Sequence, residues 1–551
     1  MVYPTKEARP CFRTYESDFH DEGISLKAGL YYHGVSNHNR SLEDERISDP
    51  IKIIASIRDS NDDCYLRAEI ISSHGFSSTI DIPNESLIHD MQGAWIRLLG
   101  RKGFTFEHED GRLPLDKRKR LECYIKAEAK SAPLKSLITS VGWSDQDFIL
   151  PHTTIAKNPN SPKLYAESQE FSDYRAKGTL SDWKNSIANY AQGNHFTMIA
   201  IMAALAGSIL KPIGLKGGGI HFYGKSSTGK TTHLNVASTV WGSEDFVKTW
   251  DGSAKGIEAA ALLHSDTVFS LDEAHLCLPA DLKQSIYKLS DGRGRLRSTK
   301  EGGMQRVLNF RVSILSTGEN SLDDILQEGG IRSHAGQAVR ILNIKADNAP
   351  YHSFHDIKQF DSSKDFVNHL KELCTQNYGV AGIEFVKNLI RTDLKVLDEL
   401  LRVIEAEFTG LQLSSQEARG ARLIATYGVA GLLGIEFGIL PWTRENVIDT
   451  VVHIVQSYQT SLGASGEQLE YKKIYQNIVQ CIEKHSNSRF QPIAKGSNTS
   501  VAVSNRLGWI EEKVDGSIDY YFTASGLREA SGGASTADLR CALEAINGFK
   551  G

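Results

Sequence analysis

The hydrophobic pattern changes its period along the chain. Ile51–Arg58 (IKIIASIR), Cys64–Ser72 (CYLRAEIIS) and Phe76–Ile82 (FSSTIDI) are strand-like runs with apolar residues alternating toward one face. The turn-formers Asp59–Asp63 and His74-Gly75 separate them. Glu85–Leu99 reads as helix, with Asn84 as its cap, because its side-chain oxygen can accept a free backbone N–H. Val141–Leu150 predicts another strand pair, and Lys157–Pro162 (KNPNSP) a surface loop or linker. A β-rich domain is therefore expected over residues 1–181.

From Asp182 two helical stretches lead to four short apolar runs: Ile220–Tyr223, Thr267–Leu271, Arg311–Leu315 and Val339–Ile344. Strands separated by helical patterns predict an α/β core with a parallel sheet, here over 182–346. Residues 347–465 read as almost all helix. A helix after Gly466, followed by Leu507–Val514 and Ile518–Phe522, predicts a small winged-helix domain over 466–551. The most apolar stretch, Phe196–Leu210, has 15 residues. That is short for a bilayer, so it predicts a buried core helix and no membrane partner.

Composition narrows the class. Of 551 residues, 40% are apolar and 23% charged, which excludes collagen-like and fully disordered chains. The net charge of −5 excludes a uniformly basic coat but leaves room for a local basic patch. The cysteines (Cys11, Cys64, Cys123, Cys277, Cys374, Cys481, Cys541) contain no CxxC pair and match no zinc spacing. They predict reduced thiols in a cytoplasmic protein, and the opening MVYPTKEARP lacks a signal-peptide apolar core.

The strongest chemical signal is Gly224-Lys225-Ser226-Ser227-Thr228-Gly229-Lys230-Thr231, followed by Thr232. It matches G-x-x-x-x-G-K-[ST], with an apolar strand before it and a helix-compatible run after it. Glycines let the backbone curl so that N–H groups face the phosphates of ATP, and the helix adds its positive end. Lys230 is expected on the β- and γ-phosphates and the Thr231 hydroxyl on Mg²⁺. Val268–Leu271 then ends in Asp272-Glu273. A parallel strand delivers these acids to the same sheet edge, Asp272 to hold Mg²⁺ and Glu273 to deprotonate the attacking water. The next strand ends in Ser316-Thr317-Gly318-Glu319-Asn320, where Thr317 is the first candidate to bond water or γ-phosphate, with Glu319 and Asn320 as rivals. Arg332 falls in the turn before the fourth strand and Arg340 within that strand. Arg332 is the leading candidate to reach a neighbouring subunit's γ-phosphate, and Arg340 an alternative that acts within its own subunit.

The order of these motifs resembles a known family: the phosphate loop, Trp250…Gly256-Ile257-Glu258, Leu271-Asp272-Glu273-Ala274, Tyr287–Arg295 (YKLSDGRGR) and Leu315-Ser316-Thr317-Gly318-Glu319. It looks like the AAA+ ATPases of prophages and integrative elements once grouped only as a domain of unknown function, which include the MCM-like helicases of mobile chromosome cassettes. The resemblance is most specific over 219–344 and runs from the N-terminal β-rich region, with its Gly142-Trp143, through the winged-helix end. It implies a hexameric, ATP-driven DNA helicase that serves replication of a mobile element. The chain departs from the pattern at the first sensor, where the usual MCM Asn falls on Glu319. The resemblance also implies a second-sensor arginine from a helical lid, with Arg419 as candidate and Arg422 as alternate.

Between Asp291 and Arg311 lie Arg293, Arg295, Arg297, Lys300, Arg306 and Arg311, around Gly302-Gly303. The pattern predicts a basic hairpin. In MCM-like ATPases such a hairpin enters the ring's channel, so Arg295, Arg297, Lys300 and Arg306 are expected to track a single DNA strand without reading its sequence. Lys484, Arg489, Lys495 and Arg506 of the C-terminal domain are further candidates for contact with duplex DNA. The rival readings are an ATP-dependent protein remodeller and a nucleotide-switch regulator or defence component.

Overall fold

The computed structural model describes residues 3–21, 23–35, 41–59, 62–89, 94–107, 115–138, 140–151, 153–158, 163–165, 173–294, 309–331, 340–462, 466–493, 503–513 and 516–544. The chain forms two compact units. One is Met1–Tyr174 with Val386–Thr392, and the other is Arg175–Phe385 with Asp393–Gly551.

The first unit is built on a five-stranded sheet in the order Lys163–Tyr165, Leu134–Ile138, Ile51–Arg58, Cys64–Ile71, Ser77–Pro83. The alternation in Ile51–Arg58 puts Ile51, Ile53, Ala55 and Ile57 into the interior. Trp95, Leu99, Leu121, Tyr124 and Ile125 join that core from helices Ala94–Arg101 and Leu115–Ser131. Of the helix expected over Glu85–Leu99, the described residues show Asn84–His89 and Ala94–Arg101 as helical. Arg67 and Asp81, paired across neighbouring strands, bond at 2.8 Å.

The second unit centres on five parallel strands: β1 (Gly218–Tyr223), β2 (Val247–Thr249), β3 (Val268–Asp272), β4 (Ser313–Gly318) and β5 (Ile341–Lys345). Their spatial order is β2-β3-β4-β1-β5. A parallel sheet is covered on both faces, which explains why β1, β3, β4 and β5 read as nearly continuous apolar runs rather than alternating ones. β2 escaped notice in the sequence because its three residues, VKT, carry no run of that kind.

The apolar helix is longer than expected. Its helical segment runs His195–Ile213, 19 residues, and 83% of its apolar window is buried inside the protein. The α-helical part, α1 (His195–Ala206), packs against α2 (Lys230–Ser238), α4 (Ser415–Glu436) and α5 (Arg444–Leu462); α3 (Pro279–Asp291) lies elsewhere in the unit. Gly431 lets α4 approach α1 closely: a Cβ there would sit 2.4 Å from the Met202 sulfur. At the C-terminal end, Gly466–Arg489 leads into a three-stranded sheet, Phe490–Pro492, Gly508–Glu512 and Ile518–Phe522.

Under the sheet's carboxyl edge a polar chain crosses the core. Trp250 Nε1 donates to Ser316 Oγ at 2.8 Å. Ser316 lies 2.8 Å from His221 Nδ1, and His221 Nε2 lies 3.0 Å from Asn320 O. A carbonyl only accepts, so the bonds assign the proton to Nε2, and Ser316 donates to Nδ1. Burial lowers the His221 pKa to about 4, and those of His233 and His264 to about 3. The unfolded chain, with histidine near 6.5, binds protons first, so this stability is intact above about pH 6.5 and is lost as pH falls toward 4. Each buried histidine is expected to remove about 1.4 kcal/mol per pH unit in that window. Thermal unfolding at pH 7.5 and pH 5 should show a lower Tm in acid, and His264→Gln should reduce the pH difference.

Candidate functional site

β1 runs straight into the glycine-rich loop. Gly224 (φ 145°), Ser227 (φ 60°) and Gly229 (φ 100°) all take positive φ and curl the backbone. Such turns gather N–H groups into a concave anion site, and α2 starts immediately at Lys230 with its positive end at the same place. Three contacts hold the loop from outside. Asp347 Oδ2 accepts the Lys225 N–H at 3.0 Å, the Glu319 carbonyl accepts the Gly224 N–H at 3.2 Å, and Ser353 Oγ donates to the Thr228 carbonyl at 2.6 Å. Lys230 is buried, and its Nζ donates to the carbonyls of Gly224 (2.9 Å) and Lys225 (2.5 Å). Desolvation depresses its pKa, opposed by the charges of Glu319, Asp347 and Asp272. The ammonium thus rests on exchangeable carbonyls in a position to prefer an incoming anion.

β3 delivers Asp272 and Glu273 beside this loop. The Thr317 hydroxyl of neighbouring β4 donates to Asp272 Oδ1 in a short hydrogen bond, and the Glu273 N–H donates to the same oxygen at 3.0 Å. Both contacts fall on Oδ1, leaving Oδ2 for a cation. Glu273 itself is left-handed (φ 59°, ψ 61°). A non-glycine residue held there stores about 1–3 kcal/mol of strain, a feature that clusters at functional sites.

These residues line one cleft of about 570 Å³. Its wall includes Ser226 through Thr232, Asp272, Glu273, Thr317 and Glu319. Thr231 is exposed, and the Thr232 side chain is largely buried. The donor set fits a magnesium nucleotide: a cradle of N–H groups, one buried cation, and a carboxylate and a hydroxyl as hard oxygen ligands.

One part of the cleft lining was missed in the sequence. It is the helix Ser363–Gln376, which presents Lys364, Asn368 and Lys371, together with His352 from the preceding loop. The signal was available. Phe366, Leu370 and Cys374 form the buried face of that helix, and Lys364, Asn368 and Lys371 fall on another face at helical spacing.

Other candidates lie elsewhere. Arg340 sits at the amino-terminal end of β5, opposite the phosphate-loop edge, with its guanidinium 4.3 Å from the Tyr287 ring centre. The expected contact with its own subunit's phosphates is not available from there, because a parallel strand separates its two ends. Arg419, on the first turns of α4, is exposed and is not among the cleft residues. Arg422 pairs with Glu405 at 2.9 Å. Asn320 supplies its carbonyl to His221 rather than a side chain to the cleft. Arg311 pairs with Asp266 at 2.8 Å, which removes it from the basic run. Arg489 pairs with Glu529 at 2.6 Å, and Arg506 stacks on Trp509. Arg332, Arg295, Arg297, Lys300, Arg306 and Lys495 lie outside the described residues. The ends of the basic segment are described: Arg293 and Asn309 form an antiparallel bridge, as the base of a hairpin would.

The fold and cleft define a mixed α/β protein with a glycine-rich loop at the carboxyl edge of a parallel sheet. The profile described as Domain of unknown function (DUF927) matches residues 19–309, more than half of the chain, and the chain belongs to that family. A solved structure described as "SCCmec type IV Cch - active helicase" is similar in fold, with a TM-score of 0.65 and 18% identity over 94% of this chain and 92% of that one. No curated protein matches the chain.

Proposed function

We propose that this chain is an AAA+ ATPase that works as a ring-forming DNA helicase or translocase of a mobile genetic element. One observation carries the reading: Lys230 in its phosphate loop and the Asp272-Glu273 pair share one cleft. The likeness in fold to a structure described as an active helicase supports it, as does the antiparallel base of the basic segment. A nucleotide switch needs the loop alone. A carboxylate placed to take a proton from water favours turnover.

The residues divide the work. The loop N–H groups and Lys230 hold the phosphates. Thr317 orients Asp272, and Asp272 with Thr231 would hold Mg²⁺, which would neutralise phosphate charge. Glu273 takes a proton from water as its oxygen bonds to the γ-phosphorus and the bond to the β-phosphate oxygen breaks, leaving ADP and phosphate. Lys364 and Lys371 add positive charge to the cleft from helix Ser363–Gln376. Arg332 of a neighbouring subunit is the proposed trans contact, and Arg419 is retained only as a residue that lid movement would have to bring in. The C-terminal helix and three strands are read as a winged-helix domain, with domain limits at 181, 346 and 465.

The test is ATP turnover with and without single-stranded DNA, beside a fork-unwinding time course. DNA stimulation is expected, and a protein remodeller would be indifferent to DNA. Arg297→Ala/Lys300→Ala should slow unwinding, leave DNA-free turnover near wild type, and flatten the slope of log affinity against log salt by roughly 1.4 for two lost phosphate contacts. Wild-type unwinding with an unchanged slope would take the hairpin out of the mechanism.

A further inference from the structure

We propose that His195, His355 and His453 form a site for one divalent transition-metal ion of the zinc class, apart from the magnesium position at Asp272 and Thr231. Each offers a ring nitrogen, and the three nitrogens lie within 4.8 Å of one another. The rings pack directly, with centroids 4.4 Å apart for His195 and His453, 4.7 Å for His195 and His355, and 5.0 Å for His355 and His453. Three imidazoles suit zinc, copper or nickel, whereas magnesium and calcium select oxygen ligands.

The surrounding bonds prepare the cluster. Thr450 Oγ1 donates its one proton to the Asn446 carbonyl at 2.7 Å, so at 3.1 Å it accepts from His195 Nδ1–H. That leaves the lone pair of His195 on Nε2. Such an outer bond is the usual device that orients a metal-ligating histidine. His355 Nδ1 is buried without a hydrogen-bond partner, and a buried ring nitrogen in that state calls for an explanation that a bound ion supplies. The backbone of His355 is fixed as well: Asn194 Oδ1 accepts the N–H groups of His355 (2.8 Å) and Asp356 (3.0 Å). Asn194 and His195 therefore place two of the ligands from adjacent positions in the chain.

Nitrogens on a tetrahedral zinc stand about 3.3 Å apart, given zinc–nitrogen distances of about 2.0–2.1 Å. The rings need only small side-chain rotations to close on an ion. His453 also borders a cleft of about 270 Å³ with Asn348 and Ser457, which has room for a water as fourth ligand. The three ligands come from α1, from the loop after β5, and from α5. That loop carries Ser353, whose hydroxyl holds the Thr228 carbonyl. An ion here ties the support of the phosphate loop to two core helices.

The experiment uses the full chain, stripped of metal with a chelator, dialysed and kept free of nucleotide. Zinc chloride is titrated by calorimetry, and cobalt chloride by absorption. One zinc per chain at micromolar affinity or tighter is expected, with a rise in Tm as zinc is added. Cobalt should give visible ligand-field bands without the charge-transfer band of a thiolate. His453→Ala and His195→Gln should each lose stoichiometric uptake and the zinc-dependent rise in Tm, while His74→Ala, at an exposed position, keeps both. Circular dichroism of the metal-free variants checks that each is folded, and His355→Asn serves if one of them is not. No stoichiometric uptake by the wild-type chain, a thiolate band, or full uptake in the histidine variants would each overturn the site.

Discussion

Glu273→Gln is expected to bind ATP within a few-fold of wild type while its turnover falls by about 10²–10⁴-fold, the range lost when a positioned general base is removed. The substitution keeps the shape of the side chain and takes away only its ability to accept a proton. Lys230→Ala should fail differently. Its ammonium is buried against the Gly224 and Lys225 carbonyls, and the proposed function has it meet the nucleotide in the ground state. Losing one charge-assisted bond of about 1.5–3 kcal/mol should weaken ATP binding by about 10- to 100-fold, with turnover undetectable. Titration with a fluorescent nucleotide, beside a phosphate-release assay, separates the two effects. Normal turnover in either variant would remove the cleft as the site of hydrolysis.

That the glycine-rich loop and the acid pair meet in one cleft was legible because their placement is local. Glycines, the lysine and the carboxylates occupy fixed offsets from strand ends, and a parallel sheet converts those ends into one edge. β1, β3, β4 and β5 were legible for a related reason: burial on both faces writes short runs that are mostly apolar and do not alternate. What escaped was set by tertiary packing. Lys364, Asn368 and Lys371 reach the cleft only because the buried face of their helix, Phe366 and Leu370, packs where it does. The same spacing on a free surface would be an ordinary solvated face. Arg340 erred in the opposite sense. Its place in the sequence suggested the nucleotide edge, but the parallel direction of β5 puts it at the other end. The histidine cluster is spread over more than 250 positions from His195 to His453, so no spacing rule connects its members.

Gly229→Ala is expected to cost both stability and nucleotide affinity, and a second glycine separates the reasons. At Gly229 φ is +100°, and an added Cβ would lie 2.5 Å from Phe354 Cε2 and 2.8 Å from Ser353 Oγ. Phe354 cannot retreat, because it is fully buried with His233 at 5.0 Å and Phe366 at 5.2 Å between ring centres. The loop must move instead, and it carries the N–H groups that the proposed function assigns to the phosphates. Affinity for ATP should fall by at least about 100-fold, which corresponds to about 2.7 kcal/mol. Gly438 also has positive φ, +71°, but an added Cβ there meets nothing within 4 Å. Gly438→Ala should therefore lose only the conformational part, about 1–2 kcal/mol of stability, and bind ATP as wild type does. Denaturant unfolding and nucleotide titration of both variants make the comparison. If Gly229→Ala kept wild-type affinity, the loop would not be held by Phe354 and Ser353. If Gly438→Ala lost as much affinity, the effect would come from general destabilisation rather than from the wedge beneath the phosphate loop.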